Sequence, residues 1–590
     1  MMWWIAAGWP LLLVAVLMAS GLLPRDAAER LRDRGSRFGW VAVVPAGILC
    51  ATAGSETVTV PWMLFGTSVA LDAIARPLLA MAVVLYGLAL AFIPRSGTER
   101  PALLSGLVMV CFVANAGVFA AADLITFYLC FTVMSFAGYG LVVHSGSRPA
   151  RRAGRIYLVM TVLGEGAVLS AMVLIARAGG LRLGESAAAV AGSPDRDLII
   201  GLLLLGFGVK AGTVPLHVWL PLAHPAAPTP ASAVLSGAMI KAGLVGWLRF
   251  LPFGESEIGW GTAFMALALL GGFLAVPAGL LQDDPKVVLA YSSISQMGFL
   301  AVLIGVALAV PEAAGACTIA AVVYAVHHGL AKGVLFLGVQ MWDVERWRRW
   351  PVAVLMAVAG LSIIGAPLTG GYVAKYGAKE AVGAAMFPAT GGASLAEVLP
   401  WVGLGSTLLL ARFAVVMWRR DRAPSPTPIT RDIAWAIVAV APVGAVGWLA
   451  SSHEPLSTTP DWFDPGTWVA QSWPLLVGLV LAVGAARIAR GPRWKDSRIA
   501  HPHGDIVPPG DVVTLEERLV SRAGVGLRAA LHRLEGLATD IRARLTPPVS
   551  LVAAVARAQR SFSAWEVSGT VLLVLIAAAL GWAAVNGGGA

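Results

Sequence analysis

Runs of about 20 apolar residues recur along this 590-residue chain, and a run of that length is what a helix needs to cross a bilayer core. Backbone polar groups in lipid must find partners inside the protein, which leaves helices or closed barrels. Runs this long and continuous lack the short alternating pattern of barrel strands. The chain therefore reads as an all-α, polytopic membrane protein. Charged types make up only 13% of the residues, against about 25% in a soluble domain. The deficit persists from end to end, which excludes a large soluble domain.

By the ~20-residue criterion we count about sixteen spans, at 2–23, 38–54, 72–94, 102–122, 124–144, 155–177, 198–220, 230–252, 260–281, 287–309, 314–340, 353–377, 398–418, 431–451, 470–488 and 566–586. Loop charges support the alternation. Arginine clusters at 25–37, 148–155, 346–349 and 419–422 all follow odd-numbered spans, whereas Glu255, Glu257, Glu312, Glu454, Asp461 and Asp464 follow even ones. Basic loops stay in the cytoplasm, so the N-terminus is predicted outside, with the chain in the inner (plasma) membrane of the cell. The apolar start lacks a basic n-region and a small-residue cleavage site, and reads as a first span rather than a signal peptide. The net charge of +10 sits in short orienting loops, so nucleic acid is not an expected partner. Cys50, Cys111, Cys130 and Cys317 fall inside apolar runs without metal-ligand spacing. No cofactor and no metal site are expected in this chain, and with no catalytic centre an enzyme class would apply only to a larger complex.

Residues 489–565 are polar and basic. Thr514 and Glu517 form a capping box, and apolar residues from Leu515 to Leu545 recur near helical spacing. This predicts an amphipathic helix over 514–545, about 48 Å long at ~1.5 Å per residue. It would lie along a surface or a neighbouring subunit rather than across the bilayer. The predicted division is 1–101 N-terminal helices, 102–252 and 253–420 two half-channels, 421–488 accessory helices, 489–565 linker and lateral helix, and 566–590 a last span.

Ionisable residues inside the spans carry the functional signal. Lys210 sits mid-run, five residues before Pro215, and a proline there breaks the helix. An ammonium at mid-bilayer costs at least ~2.5 kcal/mol, and Lys210 is too central to snorkel. His217 and His224 follow; each is a relay candidate or a hydrogen-bonded structural group. Lys241 is central in the eighth run, with Ser236 one turn before it. His327, His328 and Lys332 occupy the eleventh, where His328 and Lys332 share a helix face. Two basic groups so close lower each other's proton affinity. Pro367, Gly370 and Gly371 interrupt the twelfth run ahead of Lys375. Two interrupted spans in corresponding positions point to inverted five-helix repeats with ion sites at the midplane, here spans four to eight and nine to thirteen. Glu165 is the one carboxylate in the middle of a span, with Lys210 as its expected partner. Asp72 and Asp123 begin spans, where helix dipoles accommodate acids; Asp123 stays a secondary candidate.

The stretch PLHVWLPLAHPAAPTPASAVLSGAMIKAG, together with DDPKVVLAYSSISQMGF, HHGLAKGVLFL and GAPLTGGYVAK in that order, resembles the antiporter-like subunits of respiratory complex I, Mrp cation/proton antiporters and energy-converting hydrogenases, including formate hydrogenlyase. The resemblance covers roughly residues 70–420. It implies about 14 core transmembrane helices with the two inverted repeats. The extra C-terminal spans and lateral helix resemble the longest such subunits, where that helix braces neighbouring membrane subunits. It also implies proton-path roles for Lys210 as central lysine, Lys241 as connecting lysine, His328 and Lys332 as the bridge, and Lys375 as the terminal lysine. One departure stands out. The family has a glutamate in its fifth span, where this chain has Thr132, and Glu165 in the sixth is the candidate replacement. The implied function is a proton-conducting subunit of a redox-driven complex. A secondary cation/proton antiporter subunit, proton or sodium as the ion, and a scaffold or partner of an inorganic-carbon uptake protein remain open alternatives.

Overall fold

Where apolar runs alternate with short polar loops, the backbone is helical. The computed structural model describes residues 2–63, 66–343, 349–383, 394–420, 464–494, 497–504 and 506–511, with the single positions 385, 435, 436, 441, 460 and 513. The helices are α1 (Met2–Ala19), α2 (Arg25–Arg37), α3 (Val44–Thr52), α4 (Ala75–Phe92), α5 (Pro101–Ala120), α6 (Leu124–Val142), α7 (Arg148–Arg177), α8 (Leu183–Ala191), α9 (Arg196–Ala211), α10 (Leu220–Ala226), α11 (Thr229–Val234), α12 (Lys241–Phe250), α13 (Ile258–Leu280), α14 (Pro285–Ala309), α15 (Pro311–Trp342), α16 (Arg349–Ile364), α17 (Gly370–Val382), α18 (Leu395–Arg419) and α19 (Pro465–Ala489). Among the described residues, eleven helices are long and apolar enough to cross a membrane. The expected run 431–451, apart from positions 435, 436 and 441, the run 566–586 and the lateral helix 514–545 lie outside the described residues.

One expected span differs. The run at 38–54 becomes a 3-10 turn over Gly39–Val43 followed by the nine-residue α3, which is too short to cross a bilayer core by itself. The preceding charged stretch forms α2 and meets this segment at a 56° bend. Seven charged side chains from Arg25 to Arg34 keep α2 out of lipid, so the chain re-enters at an angle.

Burial is graded. The helix over Thr229–Phe250 and α14 are buried all round, and α15 nearly so, as expected for helices apolar on every face. By contrast, α7 turns Val159, Val162, Leu163 and Val173 outward, a face suited to lipid. Glycines let the inner helices close up. A Cβ at Gly298 would lie 2.6 Å from the Ala268 carbonyl oxygen, and one at Gly261 would lie 2.6 Å from that of Gly305, so α13 and α14 pack backbone to backbone. Of these inner helices, α12 carries the buried Lys241, and α15 carries His327, His328 and Lys332.

Outside this bundle a hairpin pairs β1 (Val58–Val60) with β2 (Thr67–Val69). It explains Asp123, whose carboxylate accepts from Thr126 N at 2.8 Å and from Ser68 N at 2.6 Å. Asp123 caps α6 and ties it to the hairpin, a structural task. Asp72 accepts from the amides of Ile74 and Ala75 and is ion-paired with Arg249 at the end of α12.

Candidate functional site

The first broken helix is built at Gly212. Its left-handed conformation (φ 69°) ends α9, a turn containing Pro215 follows, and α10 resumes the path. Lys210 therefore lies in the last turn of α9, where free carbonyls favour a cation. Its Nζ donates to Ser135 Oγ of α6 at 2.5 Å and sits 5.2 and 5.9 Å from the ring centroids of Phe131 and Tyr157, which adds cation–π attraction. Glu165 of α7 lines the same ≈ 10 Å³ cavity as Lys210, Tyr157 and Trp219. Its carboxylate lies beside the Ser135 and Thr132 hydroxyls and within electrostatic reach of Lys210, but its Oε1 accepts no hydrogen bond. The expected partners thus share one site without a direct ion pair, with Ser135 a neighbour of both.

The centre of the site lies on α11, α12, α14 and α15. One π-helical turn, Leu235–Met239, joins α11 to α12. Such a turn shifts the hydrogen-bond ladder, and the Ser236 carbonyl accepts from Lys241 Nζ at 2.8 Å. Lys241 Nζ also contacts His328 Nδ1 at 2.7 Å, joining residues 87 positions apart with both side chains fully buried. Four residues along α15, Lys332 Nζ donates to Leu289 O of α14 at 2.9 Å. Ser236 and Ser293 share a hydroxyl–hydroxyl bond at 2.8 Å. His224 is buried, stacked on Phe336 at 4.6 Å between centroids, and among the described residues neither ring nitrogen has a hydrogen-bond partner.

The second broken helix repeats the first design. α16 ends at Ile364, Gly365 (φ 90°) and Leu368 (φ 64°) turn the chain, and Thr369 caps α17. The interruption at Pro367 frees the Ile364 carbonyl, which accepts from Lys375 Nζ at 2.8 Å. His327, rather than His328, faces this break. Its Nδ1 lies 3.4 Å from Ser362 Oγ, which in turn accepts from the Gly371 amide at 3.2 Å. The α15 histidine pair thus divides its contacts between Lys241 and the second break.

Several polar groups escaped sequence reasoning. Ser135 and Ser293 are ordinary small hydroxyl residues, and nothing in their local pattern singles them out. Tyr324 donates to Gln296, which donates to Ser406 Oγ at 2.7 Å, a buried network beside the histidines. His217 Nε2 lies 3.2 Å from Asp511 Oδ2, a residue 294 positions downstream in a linker where no span marks it.

A helical membrane protein with buried lysines on two broken helices and a lysine–histidine contact between them has an antiporter-like fold. Residues 121–394 match the family model for "NADH:quinone oxidoreductase/Mrp antiporter, TM". Over that segment, less than half of its length, this chain is similar to the NADH:quinone oxidoreductase/Mrp antiporter family. It is 30% identical to hydrogenase-4 component B of Escherichia coli over 294 residues, 46% of this chain and 44% of that protein. It is 32% identical to an NAD(P)H-quinone oxidoreductase chain 4 of Picosynechococcus over 257 residues, 42% of this chain and 47% of that one. The matches thus span less than half the length of these relatives. Two solved structures share the fold at 22% identity. The Mrp complex from Dietzia matches 98% of this chain and 69% of its own with TM-score 0.64. The archaeal membrane-bound sulfane sulfur reductase matches 98% of this chain and 100% of its own with TM-score 0.65.

Proposed function

We propose that this chain is a proton-translocating, antiporter-like subunit of a redox-driven membrane complex in the plasma membrane, with other membrane subunits as partners. The observation that carries the proposal is the buried Lys241–His328 contact at 2.7 Å. Two groups able to hold the same proton touch in the interior, flanked by a broken-helix lysine on either side. A buried ammonium loses hydration that packing alone does not return, so the buried lysines Lys210, Lys241 and Lys332, with Lys375 partly buried, favour transport over structure.

In this reading, Glu165 sets the proton affinity of Lys210 across the shared cavity. A change in the neighbouring complex that moves or neutralises the carboxylate shifts Lys210 by about one pKa unit per 1.36 kcal/mol. The proton passes to Lys241 and His328 and leaves through His327 and Lys375, with Lys332 holding a second charge one turn from His328. Spans four to eight and nine to thirteen form the two inverted repeats, each contributing one broken helix. A secondary cation/proton antiporter subunit is the second reading, favoured by the fold shared with the Mrp complex.

The test is proton flux in membrane vesicles holding the assembled complex, with Lys210→Ala and Lys375→Ala. Each is expected to slow flux at least about tenfold, the effect of ~1.36 kcal/mol on a barrier. Flux at the normal rate in both variants would exclude the path. Flux that persists without redox substrate, driven by a cation gradient, would select the second reading.

A further inference from the structure

We infer that Asp511 is a positioning residue for proton uptake: it holds His217 so that Nδ1 of the imidazole, at the mouth of the first broken helix, accepts the proton. This rests on the proton-path reading above. The described residues of 497–513 fold back over one face of the bundle. Gln282 Nε2 donates to Val507 O at 2.7 Å, an Arg412 guanidinium NH2 donates to Pro502 O at 3.2 Å, and His503 Nδ1 lies 3.9 Å from Asp283. These anchors lie in the α13–α14 loop and on the C-terminal half of α18. Gly510 has a left-handed backbone (φ 81°), and a Cβ there would lie 2.7 Å from Leu222 Cδ1. Only a glycine lets the segment press onto α10 so closely, and the next residue is Asp511.

The Asp511 carboxylate lies 3.2 Å from His217 Nε2 and accepts from the Tyr291 hydroxyl at 3.4 Å. A carboxylate only accepts, so the neutral imidazole carries its proton on Nε2 and leaves Nδ1 as acceptor. That Nδ1 has no hydrogen-bond partner among the described residues. The Asp511 side chain is 23% exposed and that of His217 only 7%, so the carboxylate is the outer and the imidazole the inner member. A proton binding Nδ1 forms an imidazolium, Asp511 balances the charge, and release of that proton restores the starting pair. A carboxylate behind a histidine fixes ring tautomer and basicity in this way at other sites.

Two measurements test this on the full chain in its complex. Paired His217→Cys and Asp511→Cys substitutions should form a disulfide under mild oxidation; absence of the cross-link overturns the contact and the inference. In flux assays, Asp511→Asn, which keeps the shape but not the charge, should slow transport about 10- to 100-fold, and Asp511→Glu should restore most of it. A cross-link accompanied by normal flux in Asp511→Asn, beside slow flux in Lys210→Ala, makes Asp511 a structural clamp and overturns the role. Normal flux in Lys210→Ala itself rejects the proton path and this inference with it, an outcome distinct from loss at Asp511 alone.

Discussion

Each buried lysine meets a different partner. Lys210 has a hydroxyl and two ring faces, Lys241 a carbonyl and an imidazole, and Lys332 and Lys375 one backbone carbonyl each. An ammonium has three donors, and a carbonyl cannot take its proton. Of the four, Lys241 alone is bonded to another titratable side chain. Lys241→Gln and His328→Gln are therefore expected to slow proton flux by similar factors, and the double variant no more than either, since residues that share one transfer step are not additive. A double loss equal to the product of the single losses would separate them. Glu165→Gln removes the charge beside Lys210 and is expected to slow flux about tenfold; unchanged flux would mean that Glu165 does not stand in for a carboxylate at Thr132. Asp72, which precedes α4, offers a stability test. Burial pushes its carboxyl up, but Arg249 and the amides of Ala75 and Ile74 more than offset this and hold it below the ordinary value. A depressed carboxyl contributes stability above its unfolded pKa and loses it as pH falls through the folded one. Melting temperature should therefore drop on acidification below about pH 4, and Asp72→Asn should flatten that drop.

At the scale of elements, both helix breaks are legible in the chain: Pro215 and Pro367 interrupt apolar runs, and a lysine stands near each. What proline leaves open is where the helix stops. Gly212 and Gly365, with positive φ, decide that, and they put Lys210 in a last turn and the Ile364 carbonyl within reach of Lys375. The π-helical turn before Lys241 has no sequence signature, because it depends on how α11 and α12 pack against α15. Gly371 shows how tight the second break is. A Cβ there would lie 1.5 Å from the Ser362 carbonyl oxygen, closer than a small shift can relieve. Gly371→Ala should lower stability by about 1–3 kcal/mol, read as a lower melting temperature in detergent. It should also push α17 away from His327 and slow flux.

For the whole molecule, α14 and the largely buried α15 form the axis around which the two breaks are arranged. The predicted orientation is open to direct measurement. Ser145→Cys should react with a membrane-impermeant thiol reagent from the cytoplasmic side and Glu255→Cys from the opposite side; reversed labelling would invert the topology and move the Asp511 mouth to the other face. Membrane residence, the helical class, the two interruptions and the presence of lysines inside the spans were determined by sequence alone, because hydrophobic run length and proline chemistry are local properties. Which groups touch was decided by tertiary structure. Lys241 meets His328 across 87 positions, Lys210 meets Ser135 across 75, and His217 meets Asp511 across 294. Such pairings follow from how helices pack, and no local pattern in the chain encodes them. The same packing divided the two adjacent histidines of α15, since residues one apart on a helix point about 100° apart and so face different neighbours.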